Sequence, residues 1–304
     1  MQYVIELENV TKMYGLSRGV VNISLQVPKG AVFGFLGPNG AGKTTTISML
    51  VNLIHPTSGT IRLFDKDSEE AQLENRARIG FLAGDMALDK VLTGWQQLEY
   101  FGSLRNNFDK GYVRDLARRF NCTNELKKKI KTLSRGNQQK IGLIAALMHK
   151  PELLILDEPT SGLDPLVQAE FNKIILEHQQ AGKTTFISSH MLSEVQELCD
   201  ELAIIREGEV VSRKSLKDIV TSAPRVVRLS TDGSYNPTQL VKDLKGVTRL
   251  SQHDHSVSFS FTGDINQLLA RLTTHRLRTV VIKDAELEDI FMSFYAEGKK
   301  ENHA

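Results

Sequence analysis

Along the first two-thirds of the chain, short apolar runs alternate with segments of helical spacing. Val4–Val10 and Val21–Val27 alternate apolar and polar positions imperfectly and predict strands, with Pro28-Lys29-Gly30 as a turn. Ala31–Leu36 is a short apolar run that leads into a Gly-rich loop, after which Thr44–Ile54 has helical spacing. Thr57-Ser58-Gly59 turns into a further strand, Thr60–Phe64. Residues 93–150 read as mostly helical, with apolar positions at Trp95, Leu98, Phe101, Val113, Leu116 and Phe120. Leu153–Leu156 has the composition of a buried strand. Leu166–Gln180 predicts a helix that ends at Gly182, and Thr184–Ser188 a strand. This alternation predicts an α/β domain with a largely parallel sheet and helices on its faces.

The pattern changes near Thr221-Ser222-Ala223-Pro224. Beyond it, Arg225–Ser230 reads as a strand and Pro237–Leu244 as a helix. Val247–Gln252 and Ser256–Phe261 form a hairpin, followed by a helix at Ile265–Leu272, a strand at Arg278–Ile282 and a last helix at Leu287–Tyr295. The order β-α-β-β-α-β-α predicts a small α+β, ferredoxin-like domain. The expected domains are therefore 1–221 and 222–304, with a polar, frayed tail at Glu297–Ala304.

Composition agrees with two globular domains: 304 residues, 40% hydrophobic and 24% charged, a balance that excludes wholesale disorder. With 38 basic and 36 acidic residues the net charge is +2, which gives no overall field for gripping nucleic acid. Two cysteines, Cys122 and Cys199, exclude a disulfide framework and a four-cysteine zinc site. Both read as small buried apolar residues in a reducing compartment. No apolar run approaches the roughly 18 residues a bilayer requires. The start, Met1-Gln2-Tyr3-Val4-Ile5-Glu6, lacks the basic region of a signal peptide. The expected location is cytoplasmic, with any membrane role exercised through a partner.

Two motifs carry the chemistry. Gly37-Pro38-Asn39-Gly40-Ala41-Gly42-Lys43-Thr44 matches G-x-x-x-x-G-K-[ST] between a predicted strand and helix. Glycines there let successive backbone N–H groups face an anion, and the following helix directs its positive end at phosphates. Lys43 is suited to reach the β- and γ-phosphates and the Thr44 hydroxyl to ligate Mg²⁺, with Thr45 completing the phosphate-binding set. Leu153–Leu156 then delivers Asp157 and Glu158 at a strand end. In P-loop enzymes an acid at this point holds Mg²⁺, the role expected of Asp157. Glu158, one residue on, is positioned to orient and deprotonate an attacking water.

Further segments narrow the class. Leu133-Ser134-Arg135-Gly136-Asn137-Gln138-Gln139-Lys140 resembles the LSGGQ signature of ATP-binding cassette (ABC) ATPases. Ser161-Gly162-Leu163-Asp164 resembles that family's D-loop, His190 its switch histidine, and Tyr14 the aromatic residue that stacks on adenine. The resemblance spans about residues 1–215. It implies a P-loop NTPase cassette with a mixed sheet and a helical subdomain at about 86–150, using ATP and Mg²⁺. It also implies a head-to-tail dimer, here expected to be a homodimer. Ser134 and the Gly136 backbone of one copy would contact the γ-phosphate held by the other, Asp164 would lie at the same interface, and His190 would sense the γ-phosphate. Arg135 and Asn137 depart from the signature. In the Q-loop region, Ile79–Asp85, Gly84 stands where the family has Gln, which leaves Asp85 as its candidate substitute.

With one cassette and no membrane span, the resemblance implies a separate integral membrane permease. It also implies peripheral attachment to the inner face of the cell membrane. The C-terminal extension, with Leu287-Glu288-Asp289-Ile290-Phe291, resembles those of bacterial exporter ATPases. The alternative is a soluble single-cassette ATPase on ribosomes or nucleic acid. A single cassette without heptads, at +2, argues against it, and no nucleic-acid partner is expected. A kinase needs neither the signature nor His190. His253-Asp254-His255 reads as a solvated hairpin tip, Lys127-Lys128-Lys129-Ile130-Lys131 as a solvated face, and Trp95, Tyr100 and Phe101 as a helix core.

Overall fold

The computed structural model describes residues 2–105, 108–216, 225–233, 236–241 and 243–284. The chain divides into two compact units, Met1–Leu216 and Lys217–Ala304.

In the first unit, an antiparallel layer is made by β1 (Tyr3–Tyr14), β2 (Ser17–Pro28), β4 (Ser58–Leu63) and β5 (Lys66–Asp67), in the order β2-β1-β4-β5. The second sheet contains β3 (Val32–Leu36), β6 (Ile79–Leu82), β7 (Leu153–Asp157), β8 (Thr184–Ser189), β9 (Glu201–Arg206) and β10 (Glu209–Ser215). Its order is β10-β9-β3-β8-β7-β6, parallel throughout except for the antiparallel β9–β10 hairpin. Every residue of β3, β7 and β8 is buried. That matches the unbroken apolar run of β3 and of β7 up to Asp157, since a parallel strand covered on both faces has no polar side. Phe33 stacks on Phe186 at 5.8 Å between centroids, and both belong to a core that also takes in Ile5, Leu7, Ile23 and Ile61 from the antiparallel layer.

The helices are α1 (Lys43–Leu50), α2 (Gln72–Arg78), α3 (Gly94–Ser103), α4 (Lys110–Arg119), α5 (Arg135–Leu147), α6 (Pro165–Gln180) and α7 (Leu192–Leu198). The predicted helical region resolves into α3, α4, two short 3-10 turns and α5. Thr93 and Gln96 form a reciprocal capping box, and Asp109, Ser134 and Asp164 cap α4, α5 and α6 through their side chains. Leu98, Val113, Leu116 and Phe120 are fully buried as their spacing predicts. Tyr100 departs from the expected helix core: it is 54% exposed and rests against Phe101. The predicted strand at Thr184–Ser188 extends to Ser189. The β9–β10 hairpin escaped the sequence pattern, because β10 alternates weakly exposed positions with no marked apolar face.

In the second unit, β11 (Arg225–Thr231), β12 (Val247–His253), β13 (Ser256–Phe261) and β14 (Leu277–Asp284) form an antiparallel sheet in the order β12-β13-β11-β14, with α8 at Ile265–Leu272. This is the strand order of a split βαβ fold. Its core joins Val227, Leu229, Val257, Phe259 and Phe261 to Leu240, Leu268 and Leu272. The helix expected at Pro237–Leu244 is instead a 3-10 turn, Pro237–Leu240, capped by Asn236. One turn suffices to bury Leu240 and Val241 in the core of this unit. His253, Asp254 and His255 are exposed at the β12–β13 turn. The last predicted helix and the domain boundary lie outside the described residues.

Two histidines give this fold an acid limit. Burial lowers His178 from its ordinary value of 6.5 to about 4, and likewise His149, whose Nε2 lies 3.0 Å from the Ile79 carbonyl oxygen. Both remain neutral when folded but take protons more readily when unfolded. Their contribution is therefore complete above about pH 6.5 and is lost as pH falls toward 4, by up to about 3 kcal/mol each. Urea unfolding at a series of pH values is expected to show this loss. His178→Leu is expected to make the pH dependence between 6.5 and 4 shallower.

Candidate functional site

Parallel pairing determines where the site forms. Leu36 of β3 pairs with Ser189 of β8, and Asp157 of β7 pairs with Ser188. Three strand ends therefore deliver the Gly-rich loop, the carboxylate pair and His190 to one edge of the sheet. The cleft there has a volume of about 630 Å³, and its lining includes Tyr14, Asn39, Lys43, Thr44, Thr45 and His190.

The loop is built for close backbone approach. Gly42 caps α1 with φ 106°, and a Cβ there would lie 2.6 Å from Val20 Cγ1. Gly40 and Gly42 line the cleft, whereas Gly37, Pro38 and Ala41 form the loop behind it. The Lys43 side chain is 6% exposed. It donates to the carbonyls of Gly37 at 2.7 Å and Pro38 at 3.2 Å, and meets Glu158 Oε1 at 3.3 Å. The cation thus curls back onto its own loop and onto the acid, a charge-assisted arrangement that a phosphate can replace.

Thr44 Oγ1 donates to Asp157 Oδ2 at 2.8 Å, and Ser188 Oγ donates to Asp157 Oδ1. Glu158 has a left-handed backbone, φ 51°, uncommon for a residue with a side chain and typical of functional positions. Its N–H is directed at Ser188, 3.1 Å from Oγ and 3.2 Å from the carbonyl oxygen. Its Oε2 lies 2.5 Å from His190 Nδ1. Glu158 is therefore held between a lysine and a histidine, and the three groups predicted to be catalytic form one connected chain.

The other predicted residues divide into two groups. Tyr14 lines the cleft, half exposed, with the Lys12 ammonium 5.6 Å from its ring centre. Ser134, Gly136 and Asp164 lie outside the cleft. Ser134 caps α5 by accepting from the Asn137 N–H, and Asp164 accepts from the Val167 N–H at 3.0 Å and pairs with Lys140 at 3.5 Å. Gly136 packs against the D-loop, where a Cβ would come within 2.4 Å of the Gly162 carbonyl oxygen. Gly84 lies against Asp157: a Cβ there would sit 3.3 Å from Oδ2. Asp85 joins the lining, as do Arg18, Gly19, Arg135 and Ser161. Arg18 and Gly19 lie outside every motif, near the start of β2, whose Val20 lies against Gly42 of the loop. Cys122 and Cys199 are buried, and burial pushes the Cys122 thiol up to about 11. Both are inert by environment.

The sequence profile of the ABC transporter family matches residues 20–161. The bacitracin transport ATP-binding protein BcrA of Enterococcus faecalis is 33% identical over 303 residues, covering 98% of each chain. The chain belongs to the ABC transporter family. As a cassette of that family it is an ATP-binding ATPase. The linearmycin resistance ATP-binding protein LnrL of Bacillus subtilis is 31% identical over 304 residues, covering 95% of this chain and 97% of that one. Among solved structures, an ATP-binding subunit of an ABC transporter superposes with a TM-score of 0.66 at 25% identity, covering 71% of this chain and 91% of that one. The cassette MJ0796, solved as a dimer with ADP and phosphate, has a TM-score of 0.63 at 23% identity, covering 70% and 98%, and shows the shared fold.

The cassette's dependence on Lys43 is directly measurable. Lys43→Ala is expected to weaken ATP binding at least about 100-fold, since a buried charge-assisted contact to phosphate is removed. Titration with a fluorescent ATP analogue reads this. Unchanged affinity would contradict the assignment of the loop.

Proposed function

We propose that this cassette is the energy-supplying subunit of an export-type ABC transporter, working with a separate integral membrane permease. Two copies, head to tail, would each contribute a Walker loop and a signature segment to two ATP sites. The observation that carries the reading is the connected chain Lys43–Glu158–His190 beside the Thr44–Asp157 pair. It supplies a phosphate-binding cation, a water-activating carboxylate, an orienting histidine and hard oxygen donors at one edge.

The residues fit Mg²⁺. The Thr44 hydroxyl and Asp157 carboxylate, 2.8 Å apart, are the oxygen donors that a hard, small cation selects. Bound there with ATP, Mg²⁺ would neutralise charge on the phosphates. The protein's own residues do the rest. Lys43 exchanges the Gly37 and Pro38 carbonyls and the Glu158 carboxylate for phosphate oxygens. That frees Glu158 to take a proton from the attacking water. His190 orients Glu158 and is placed to sense the γ-phosphate. Tyr14 offers its exposed ring to the adenine. Asp85, next to Gly84, takes the place of the Q-loop glutamine. Ser134 and the Gly136 backbone meet the γ-phosphate held by the other copy, with Asp164 at the same interface. These three residues lie outside their own chain's cleft, which is consistent with action in trans.

Export and the permease are supported by full-length similarity to the bacitracin transport and linearmycin resistance subunits. No helix among the described residues is long and apolar enough to cross a membrane, which is consistent with a permease on a separate chain. The cassette would then sit at the inner face of the cell membrane. Glu158→Gln keeps the shape of the side chain but removes the base. It is expected to retain ATP binding, to lose at least about 100-fold in kcat, and to accumulate an ATP-held dimer. Light scattering after gel filtration with and without ATP reads the dimer. A monomer in both conditions with wild-type hydrolysis would contradict this assignment. Affinity capture of the tagged chain from detergent-solubilised membranes is expected to bring down a multispan membrane protein in stoichiometric amount. A ribosomal partner in its place would contradict the transporter reading.

A further inference from the structure

Glu194 lies in α7, outside every motif of the nucleotide site. Its carboxylate nevertheless spans two of them. Oε1 accepts from Thr160 Oγ1 at 2.5 Å, and Oε2 accepts from Ser189 Oγ at 2.6 Å. Thr160 follows Glu158 by two residues, and Ser189 directly precedes His190. Thr160 is 7% exposed and Ser189 fully buried, so both hydroxyls depend on protein acceptors rather than water. Ser189 Oγ also accepts from the Met191 N–H at 2.9 Å, which holds the turn that carries His190 into α7.

The two segments joined in this way bear the two side chains that meet at 2.5 Å, Glu158 Oε2 and His190 Nδ1. Glu158 and His190 are themselves partly exposed, and Glu158 has the left-handed backbone already described. Their alignment therefore needs a support behind them. Ser188 supplies one on the sheet side, through Asp157 and the Glu158 N–H. Glu194 supplies another from α7, through Thr160 and Ser189. A single ionised acceptor taking two hydroxyl protons is stronger than two neutral bonds and fixes the spacing between its donors.

We propose that Glu194 is a positioning residue for hydrolysis: it clamps the base-bearing and histidine-bearing segments so that Glu158 and His190 stay aligned. It touches neither the phosphate loop nor Lys43. Its loss would therefore reduce turnover and leave ATP affinity intact. This inference rests on Glu158 acting as the base.

The test compares the full chain with Glu194→Ala, Glu194→Gln and Glu158→Gln, measuring ATP affinity by fluorescent-analogue titration and kcat by phosphate release. Glu194→Ala is expected to lower kcat at least about tenfold, as small misplacements of reacting groups do, with ATP affinity unchanged. Glu194→Gln retains one acceptor and gains a donor that the second hydroxyl can accept, so it is expected to recover most of the turnover. Ser189→Ala is expected to lower kcat alone but to add little in the Glu194→Ala background, because both remove the same clamp. If Glu194→Ala does not yield folded protein, Thr160→Val and Ser189→Ala are measured against the same criterion. Wild-type kcat in Glu194→Ala, or equal losses of kcat and ATP affinity that Gln does not rescue, would overturn the clamp. Wild-type kcat in Glu158→Gln would instead overturn the assignment of the base, so the two failures are distinguishable.

Discussion

The buried ammonium of Lys43 is the group around which the site is arranged. A cation on a side chain that is 6% exposed must be compensated, and here two loop carbonyls and the Glu158 carboxylate do so. That requirement links the phosphate loop after β3 to the acid after β7. Glu158 in turn reaches the histidine after β8. Each link needs its neighbouring strand in parallel register, because an antiparallel neighbour would deliver its residue to the far edge of the sheet. The buried central strands, their order and the electrostatics of the cleft are thus parts of one constraint.

The same arrangement suggests how ligand binding is coupled to chemistry. Glu158 is shared between Lys43, at its Oε1, and His190, at its Oε2. Phosphate competes for Lys43 with the carbonyls and with Glu158. On the proposed reading, in which Glu158 is the base, phosphate binding would thereby release it. Behind it, serine hydroxyls on β8 and the Glu194 carboxylate keep the backbone segments in place, so a rearrangement of charge at the front need not disturb the sheet.

Much of this was readable from the sequence, for identifiable reasons. β3 and β7 are short apolar runs that end in a glycine loop and a carboxylate pair, and the parallel sheet follows from strands of that kind separated by helices. The chemistry of phosphate and metal binding led to Lys43, Thr44, Asp157 and Glu158 at strand ends, and the structure brings these four together at one edge of the sheet. Residues whose importance lies in three-dimensional register were not readable in this way. Arg18 and Gly19 reach the cleft from near the start of β2, and Ser188 matters because it lies directly across from Asp157. Glu194 looks like any acid in the first turn of a helix until Thr160 and Ser189 are found on either side of it. The turn at Pro237–Leu240 shows the reverse error, in which helical spacing over a few residues overstated the length that packing required.

A site completed by a second copy, as proposed, would make a demand that no single chain can meet. The most direct measurement is the specific ATPase activity of the purified full chain, at saturating ATP and Mg²⁺, across a wide range of protein concentration. If Ser134 and Gly136 act in trans, activity per chain rises with concentration and levels off as the dimer fills. Constant activity per chain, down to dilutions at which the protein sediments as a monomer with ATP present, would contradict a composite site.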